Sequence, residues 1–302
     1  MNSGRFLDLV LRTSLLSWGD WMPSLEWNKQ HWDGEYDWKT LGNIWSAGYG
    51  NVESQWFACL YPRIHNFIPT GTILELAPGA GRWTQFLVSH CERFIAVDYS
   101  HECIDICKHR FGEVSHAKFY VNDGKSLDAV PDSSVDFLFS FDSLVHAEAD
   151  VMESYVNEIR KKLRPDGVGF IHHSNLKSYK WLLPVEFFQN KRLLWRIAPI
   201  ASRKGWALNM HSRARSMSAR LFQEYCASVG LQCIGQELFS WFNPGFAGRV
   251  LTDCVSIFTP TQSKWGRPNR MIENLHFESE ANSIAMQAKL YSSESFTDQK
   301  TS

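Results

Sequence analysis

The chain is poor in the features that mark the simplest function classes. No Cys-x-x-Cys pair and no metal-finger spacing occurs among its seven cysteines, at 59, 91, 103, 107, 226, 233 and 254. That argues against a zinc module or disulfide scaffold and for reduced cysteines in a core; Cys103 and Cys107, four apart, read as one packed helix face. Neither sign of charge is in excess. The 31 Lys and Arg against 32 Asp and Glu leave a formal net charge of −1, so no global field recruits nucleic acid or an anionic membrane. Long hydrophobic runs are missing too: Leu7 to Leu16 is broken by Asp8, Arg12 and Thr13. It is too short and too charged to span a bilayer, and no signal-peptide cleavage pattern accompanies it. The expected location is cytoplasmic.

What is present can bury one full core plus embellishment: 302 residues with 44% hydrophobic content. The chain is organised around Thr72-Ile73-Leu74-Glu75-Leu76-Ala77-Pro78-Gly79-Ala80-Gly81-Arg82-Trp83-Thr84. An apolar run carrying a carboxylate, a small-residue turn and the start of a helix make a strand that delivers its C-terminal end to a ligand-cradling loop. Gly79 and Gly81 permit positive φ and leave the backbone bare for close approach. A dinucleotide fingerprint is excluded, because its third glycine falls at Thr84 and Glu75 would repel a pyrophosphate; that carboxylate suits a cationic centre or hydroxyls. Seventeen residues after Gly81, the run Phe94-Ile95-Ala96-Val97 ends in Asp98, placed to accept two hydrogen bonds from a ribose diol. A third run, Lys118-Phe119-Tyr120-Val121, ends in Asn122-Asp123-Gly124, offering a carboxylate to an exocyclic adenine amine.

This ordered series of acid-ended strands resembles the class I S-adenosylmethionine-dependent methyltransferases, over about Thr70 to Thr259. The resemblance implies S-adenosylmethionine as cofactor, with Gly79 and Gly81 under its methionine moiety, Asp98 on the ribose, Asp123 on the adenine and Glu75 as first-strand acid. It extends the donor site to Ala77, Tyr99, Gly124 and Ser140. Ala77-Pro78 replaces the commoner Gly-Cys pair, which stiffens the turn. The implied fold is α/β and Rossmann-like: a doubly wound, mostly parallel, seven-stranded sheet with an antiparallel C-terminal edge hairpin, plus a helical N-terminal cap and a helical insertion after the fifth strand. The plainer alternative is a doubly wound domain whose strand-end acids only cap helices.

From Gly71 strands and helices alternate, as parallel sheets with right-handed crossovers require. The pattern predicts strands at 72–76, 93–97, 117–121, 135–140 and 167–172 and helices near 82–91, 100–111 and 150–163. Ser100 is an N-cap, and Leu163 to Gly167 is a Pro-Gly turn into the fifth strand. Leu231–Trp241 and Asp253–Thr259 complete the hairpin. Residues 1–70 form the predicted cap, with seven of the thirteen tryptophans between positions 18 and 56, a mixture of flat apolar faces and polar edges suited to stacking on sugars, covering a cofactor or simply fastening the cap. Gly48-Tyr49-Gly50 reads as a hinge or turn into a helix Val52–His65. The methyltransferase domain spans 71–260 and includes a basic insertion, 176–215, with nine Lys or Arg against the single acid Glu186. That insertion reads either as a solvated helix face or as an acceptor-binding cap preferring an anionic substrate. Residues 261–302 are expected to be a polar, loosely attached tail with one helix across Ile284–Tyr291.

A hydroxyl acceptor needs a proton acceptor, and imidazole is the natural one near neutral pH. The fourth strand ends Phe139-Ser140-Phe141-Asp142-Ser143-Leu144-Val145-His146 and the fifth Ile171-His172-His173-Ser174-Asn175. His146 is the expected base, with His172 or His173 as a second polar contact and Asp142 as the orienting group. A divalent ion on Asp142, His172, His173 and Asp253 is the rival account, and no diagnostic spacing supports it. The segments Phe141 to His146 and Gly169 to Asn175 are similar to methyltransferases encoded with surface-glycan or secondary-metabolite pathways. The expected activity is therefore O-methylation of a small or glycan-type acceptor, with an anionic group, and no nucleic-acid partner. Methylation of nitrogen and a non-catalytic donor-binding module are the alternatives.

Overall fold

The computed structural model describes residues 24–38, 42–182, 213–241 and 250–291. Leu7 to Leu16, Trp18, Trp21 and residues 183–212 of the basic insertion lie outside them.

The apolar runs form one sheet because each is long enough to be buried on both faces. Its strands are β1 (Thr70–Leu76), β2 (Cys91–Asp98), β3 (Ala117–Val121), β4 (Val135–Ser140), β5 (Leu163–Ser174), β6 (Leu231–Phe239), β7 (Asp253–Pro260) and β8 (Met271–Asn274). Spatial order is β3-β2-β1-β4-β5-β7-β6-β8. β1 to β5 run parallel, β7 is antiparallel to β5 and β6, and β8 is parallel to β6. The order reverses between β1 and β4, where open α/β sheets leave a crevice at the carboxyl ends of their strands. The helices are α1 (Leu25–Gln30), α2 (Val52–Gln55, continuing through a wide turn, Trp56–Leu60, into Tyr61–Ile64), α3 (Thr84–Leu87), α4 (His101–Phe111), α5 (Ala149–Lys162), α6 (Ala219–Ser228) and α7 (Phe277–Tyr291).

Strand alternation divides the core. Phe137, Phe139 and Phe170 point to the face covered by Trp56, Leu60, Ile64 and Phe277. Leu138 and Ile171 point to the face covered by Met152, Val156 and Ile159 of α5 and Phe222 of α6. Ser100 caps α4 by accepting from the Cys103 N–H at 3.1 Å, and Ser218 caps α6 by accepting from Leu221. All seven cysteines are free thiols.

Three boundaries differ from the sequence pattern. The helix expected over 82–91 is cut to α3 and a short turn, Val88–His90, because β2 begins early, at Cys91. The expected Pro-Gly turn is already strand: Leu163 pairs with Val135, and the extra residues are absorbed by a register shift between Val135 and Phe137. Residues 261–291, expected to be part of a loosely attached tail, are docked on the sheet. They supply an eighth strand, then α7, whose Phe277 is 2% exposed and stacks 4.0 Å from Phe239 while meeting Trp241 and Tyr49 edge-on. Tyr49, expected in a hinge, is buried in that cluster, and Gly50 turns the chain at φ 95°.

Because Phe277 fastens the last helix to the sheet, Phe277→Ala should lower the unfolding free energy by about 3–5 kcal/mol. Urea denaturation checks this. A change near zero would return residues 271–291 to the status of an appendage.

Candidate active site

The loop after β1 is shaped by three left-handed residues: Ala77 (φ 57°), Gly79 (φ 57°) and Gly81 (φ 81°). Only the glycines hold that conformation cheaply; Ala77 is fixed there by donating its N–H to Val97 and accepting from the Ser143 hydroxyl. Below the loop, Glu75 is buried and accepts from Thr84 Oγ1 at 2.5 Å. Burial pushes its pKa up to about 8, so at neutral pH it is a protonated strut joining β1 to α3 rather than an anion facing a ligand. At the end of β2, Asp98 accepts the Gly79 N–H at 3.1 Å and the Ser100 N–H at 3.0 Å. Burial raises its pKa to about 6, against the lowering effect of those hydrogen bonds. The Asp98 carboxylate thus ties the glycine loop to the start of α4. After β3, Asp123 is exposed and accepts the N–H groups of Lys125 and Ser126, which hold its pKa low; Gly124 turns at φ 85°.

The N-terminal segment lies on these loops. A Cβ on Gly79 would stand 2.8 Å from the Trp38 ring, and one on Gly124 would stand 2.6 Å from Leu25. Asp33 Oδ1 accepts from Ser100 Oγ at 2.6 Å and from the Glu102 N–H at 3.2 Å, sealing the start of α4. The Tyr99 hydroxyl donates to the Asn28 carbonyl. Trp32 connects the segment to the other side of the crevice, its ring 5.3 Å from that of His146 and 5.8 Å from that of Trp38.

The sheet separates the three candidate histidines. His173, on the α6 side, stacks 4.5 Å from Phe222, and its ring nitrogens meet the Ser174 carbonyl and Ser256 Oγ. Burial lowers its pKa to about 4, leaving a neutral structural ring. His172, on the opposite face, is fully buried with Nδ1 3.3 Å from Asp142 Oδ1 and Nε2 3.1 Å from Asp253 Oδ1. Burial opposes its charge, but the two carboxylates prevail and raise its pKa. Arg82 Nη2 reaches Asp142 Oδ2 at 2.9 Å, and Arg213 Nε reaches Asp253 Oδ1 at 2.7 Å. The result is one buried row: Arg82, Asp142, His172, Asp253, Arg213. Burial works against both carboxylates, yet the row keeps Asp142 and Asp253 below the usual range. Asp142 sits at φ 64° just past β4. His146 is half-buried in the turn Leu144–His146, and its carbonyl accepts from Asn28 Nδ2. Ser140 is fully buried on β4.

Asp142, His146 and His172 therefore gather at the carboxyl ends of β4 and β5, and His173 does not join them. The proposed metal set does not converge, since His173 faces the other side of the sheet; among the described residues no group of His, Cys, Asp and Glu could hold a metal ion. Sequence reasoning missed Arg82 and Arg213. Arg82 follows the glycine loop directly, but its partner lies 60 residues away, and no local pattern joins them.

The family model described as a methyltransferase domain matches residues 73–167. Solved structures similar to the chain include a S-adenosylmethionine-dependent methyltransferase from Methanosarcina mazei, 17% identical over 67% of this chain and 98% of that one, TM-score 0.47. A TehB-like methyltransferase from Corynebacterium glutamicum is 20% identical over 74% and 94%, TM-score 0.45, and DhpI in complex with SAH is 20% identical over 79% and 95%, TM-score 0.47. No curated protein matches the chain. Among the described residues no helix is long and apolar enough to cross a membrane. The stretch that matches a methyltransferase domain, residues 73–167, contains the glycine loop, Asp98, Asp123 and Asp142.

His172 and Glu75 both have folded-state pKa values above their ordinary ones. The stability each contributes is complete below the unfolded value, about 6.5 for imidazole and about 4.3 for Glu, and is lost as pH rises through the folded value. Unfolding free energy measured in urea should therefore fall as pH rises from about 4.3 toward 8 through Glu75, with His172 adding to the fall above about 6.5, and Glu75→Gln should flatten the fall across that window. A variant curve superimposed on the wild-type curve would mean that Glu75 is already ionised in the fold.

Proposed function

We propose that the chain transfers the methyl group of S-adenosylmethionine to a hydroxyl oxygen of a small or glycan-type acceptor, at the carboxyl ends of β4 and β5, with His146 as proton acceptor. The observation that supports this is the sorting of the histidines: His173 is neutral on the far face, His172 is locked between carboxylates, and His146 keeps accessible surface at the crevice beside Trp32.

The residues present fit the cofactor. The bare backbone of Gly79 and Gly81 lets Trp38, Phe111 and Cys107 pack directly on the loop, and Asp98, pinned by two N–H groups, retains lone pairs for a ribose diol. Asp123 offers its second oxygen toward the adenine amine; Ala77, Tyr99, Gly124 and Ser140 complete the surround, with Glu75 bracing the loop from beneath. When bound, S-adenosylmethionine supplies an activated methyl group on a sulfonium. The protein's own part is alignment, exclusion of water and acceptance of a proton. Residues 24–38 cover the donor loops, and His146 stands where an acceptor hydroxyl would lose its proton. His172, held between Asp142 and Asp253 and accepting the Asp142 N–H on Nδ1, positions the Asp142 turn. A second reading, methylation of nitrogen, draws support from Asp142 itself, an ionised carboxylate with a partly exposed side chain that would attract an amine. The basic stretch 176–215 is the proposed acceptor cap for an anionic substrate, although residues 183–212 lie outside those described.

Incubation with donor and a panel of glycans, phosphorylated sugars and small amines should give a product heavier by one methyl group. On that acceptor, His146→Ala should lower turnover by about 10²-fold or more with donor affinity unchanged; full activity in the variant would remove His146 as base. Asp98→Ala should weaken donor binding by about 1–3 kcal/mol in calorimetry, and unchanged affinity in the folded variant would remove the ribose assignment.

A further inference from the structure

A recess of about 300 Å³ lies between α2 and α7, and none of the histidines or strand-end acids of the crevice lines it. Tyr49, Cys59 and Arg63 make its floor, Ala58 and Ile284 give it apolar sides, and Ser279, Glu280 and Ser283 stand on its exposed α7 rim. The hydrogen bonds already made there define what is left for a ligand. Arg63 is committed to Glu237, Nε to Oε2 and Nη2 to Oε1, both at 2.7 Å, and its Nη1 donates to the Cys59 carbonyl at 2.7 Å. That pair cancels its own charge. Glu280 Oε2 stands 4.0 Å from Arg63 Nη2, beyond hydrogen-bond reach, and accepts from Asn274 Nδ2 at 3.2 Å. Ser279 Oγ donates to the His276 carbonyl and Ser283 Oγ to the Ser279 carbonyl, so both hydroxyls have spent their protons and offer lone pairs. The Tyr49 hydroxyl, 1% exposed, accepts from the Cys59 thiol at 3.5 Å, while its own proton has no acceptor among the described residues.

We propose that this recess is a binding site for a small amino alcohol in its ammonium form. Three acceptors, a Glu280 carboxylate oxygen, Ser279 Oγ and Ser283 Oγ, answer the three N–H groups of a primary ammonium. The Tyr49 O–H answers an oxygen at the other end of the ligand, and Ala58 and Ile284 flank a stem of a few carbons. Charge selects among candidates of that size. Two carboxylates, Glu237 and Glu280, stand against the single cation Arg63, so one positive charge brings the recess to neutrality and an anion adds to the excess. Arg63 does not reverse that preference, because both Glu237 oxygens hold it. An uncharged diol can make the same hydrogen bonds and lacks the charge. The inference does not depend on methyl transfer, since no group assigned to the donor, to the acceptor or to proton transfer lines the recess.

Saturation-transfer NMR on the full chain tests this with ethanolamine, ethylene glycol and glycolate, three probes that share a hydroxyl-bearing carbon and differ in charge at the other end. Ethanolamine should bind saturably, ethylene glycol about 10-fold more weakly, and glycolate without saturation. Glu280→Gln should weaken ethanolamine about 10-fold and erase its advantage over ethylene glycol. Ser283→Phe places a ring over the recess and should abolish binding of both. Each replaces an exposed side chain of α7, so the fold does not hinge on either. Wild-type protein that fails to bind ethanolamine saturably, or binds glycolate as well, overturns the proposal. Ethanolamine binding that survives both variants overturns it too, and its loss in Asp142→Asn would then place the amine at the crevice. An unchanged preference for ethanolamine over ethylene glycol in Glu280→Gln removes the ammonium assignment.

Discussion

The row Arg82, Asp142, His172, Asp253, Arg213 is the constraint on which the crevice depends. It runs from the loop after β1, across the ends of β4 and β5, to β7 and then to the first described residue after 183–212. Buried charges are tolerated only when each is answered, and deleting one partner strands the next at a cost of about 3–5 kcal/mol. Each member therefore fixes the next in place: Asp142 is held in its left-handed turn by Arg82 on its carboxylate and by His172 Nδ1, which accepts its N–H. Two arginines and two carboxylates alternate along the row, with His172 between the carboxylates.

The sheet and its acids were legible because they are local. Apolar runs of five to eight residues ending in an acid are visible in any window of the sequence, and Asp98 and the glycine loop do meet. The separation of His172 from His173 was available from strand alternation alone, since neighbours on a strand point to opposite faces. What stayed hidden was non-local. Arg82 and Asp142 are far apart in sequence, as are His172 and Asp253, and a single sequence contains no signal for such pairs. The segment after Pro260 was misleading for another reason. It is polar on average, yet it needs only Phe277 and Ala281 on one stripe to dock, and four residues of β8 to pair with β6. Average polarity conceals so narrow an anchor.

The same separation governs the tryptophan-rich start of the chain. Composition showed that its rings could stack or fasten, but not where. Trp56 is wholly core, stacked 4.8 Å from Phe86, whereas Trp32 and Trp38 lie over the loops and the crevice. One aromatic-rich run thus serves two masters, and the boundary between them falls within about twenty residues.

Residues 24–38 touch the segments after β1, β2 and β3 each through a different kind of contact: Leu25 against Gly124 by dispersion, Asp33 on the start of α4 by hydrogen bonds, and Trp38 on Gly79 by a flat ring. The segment itself is short, and its α1 holds only six residues, so its adhesion comes from these grips rather than from helical stability of its own. On the proposed function, a donor held at these loops would leave only as the strap gives way, so its residence time would be set by this fifteen-residue strap rather than by the sheet.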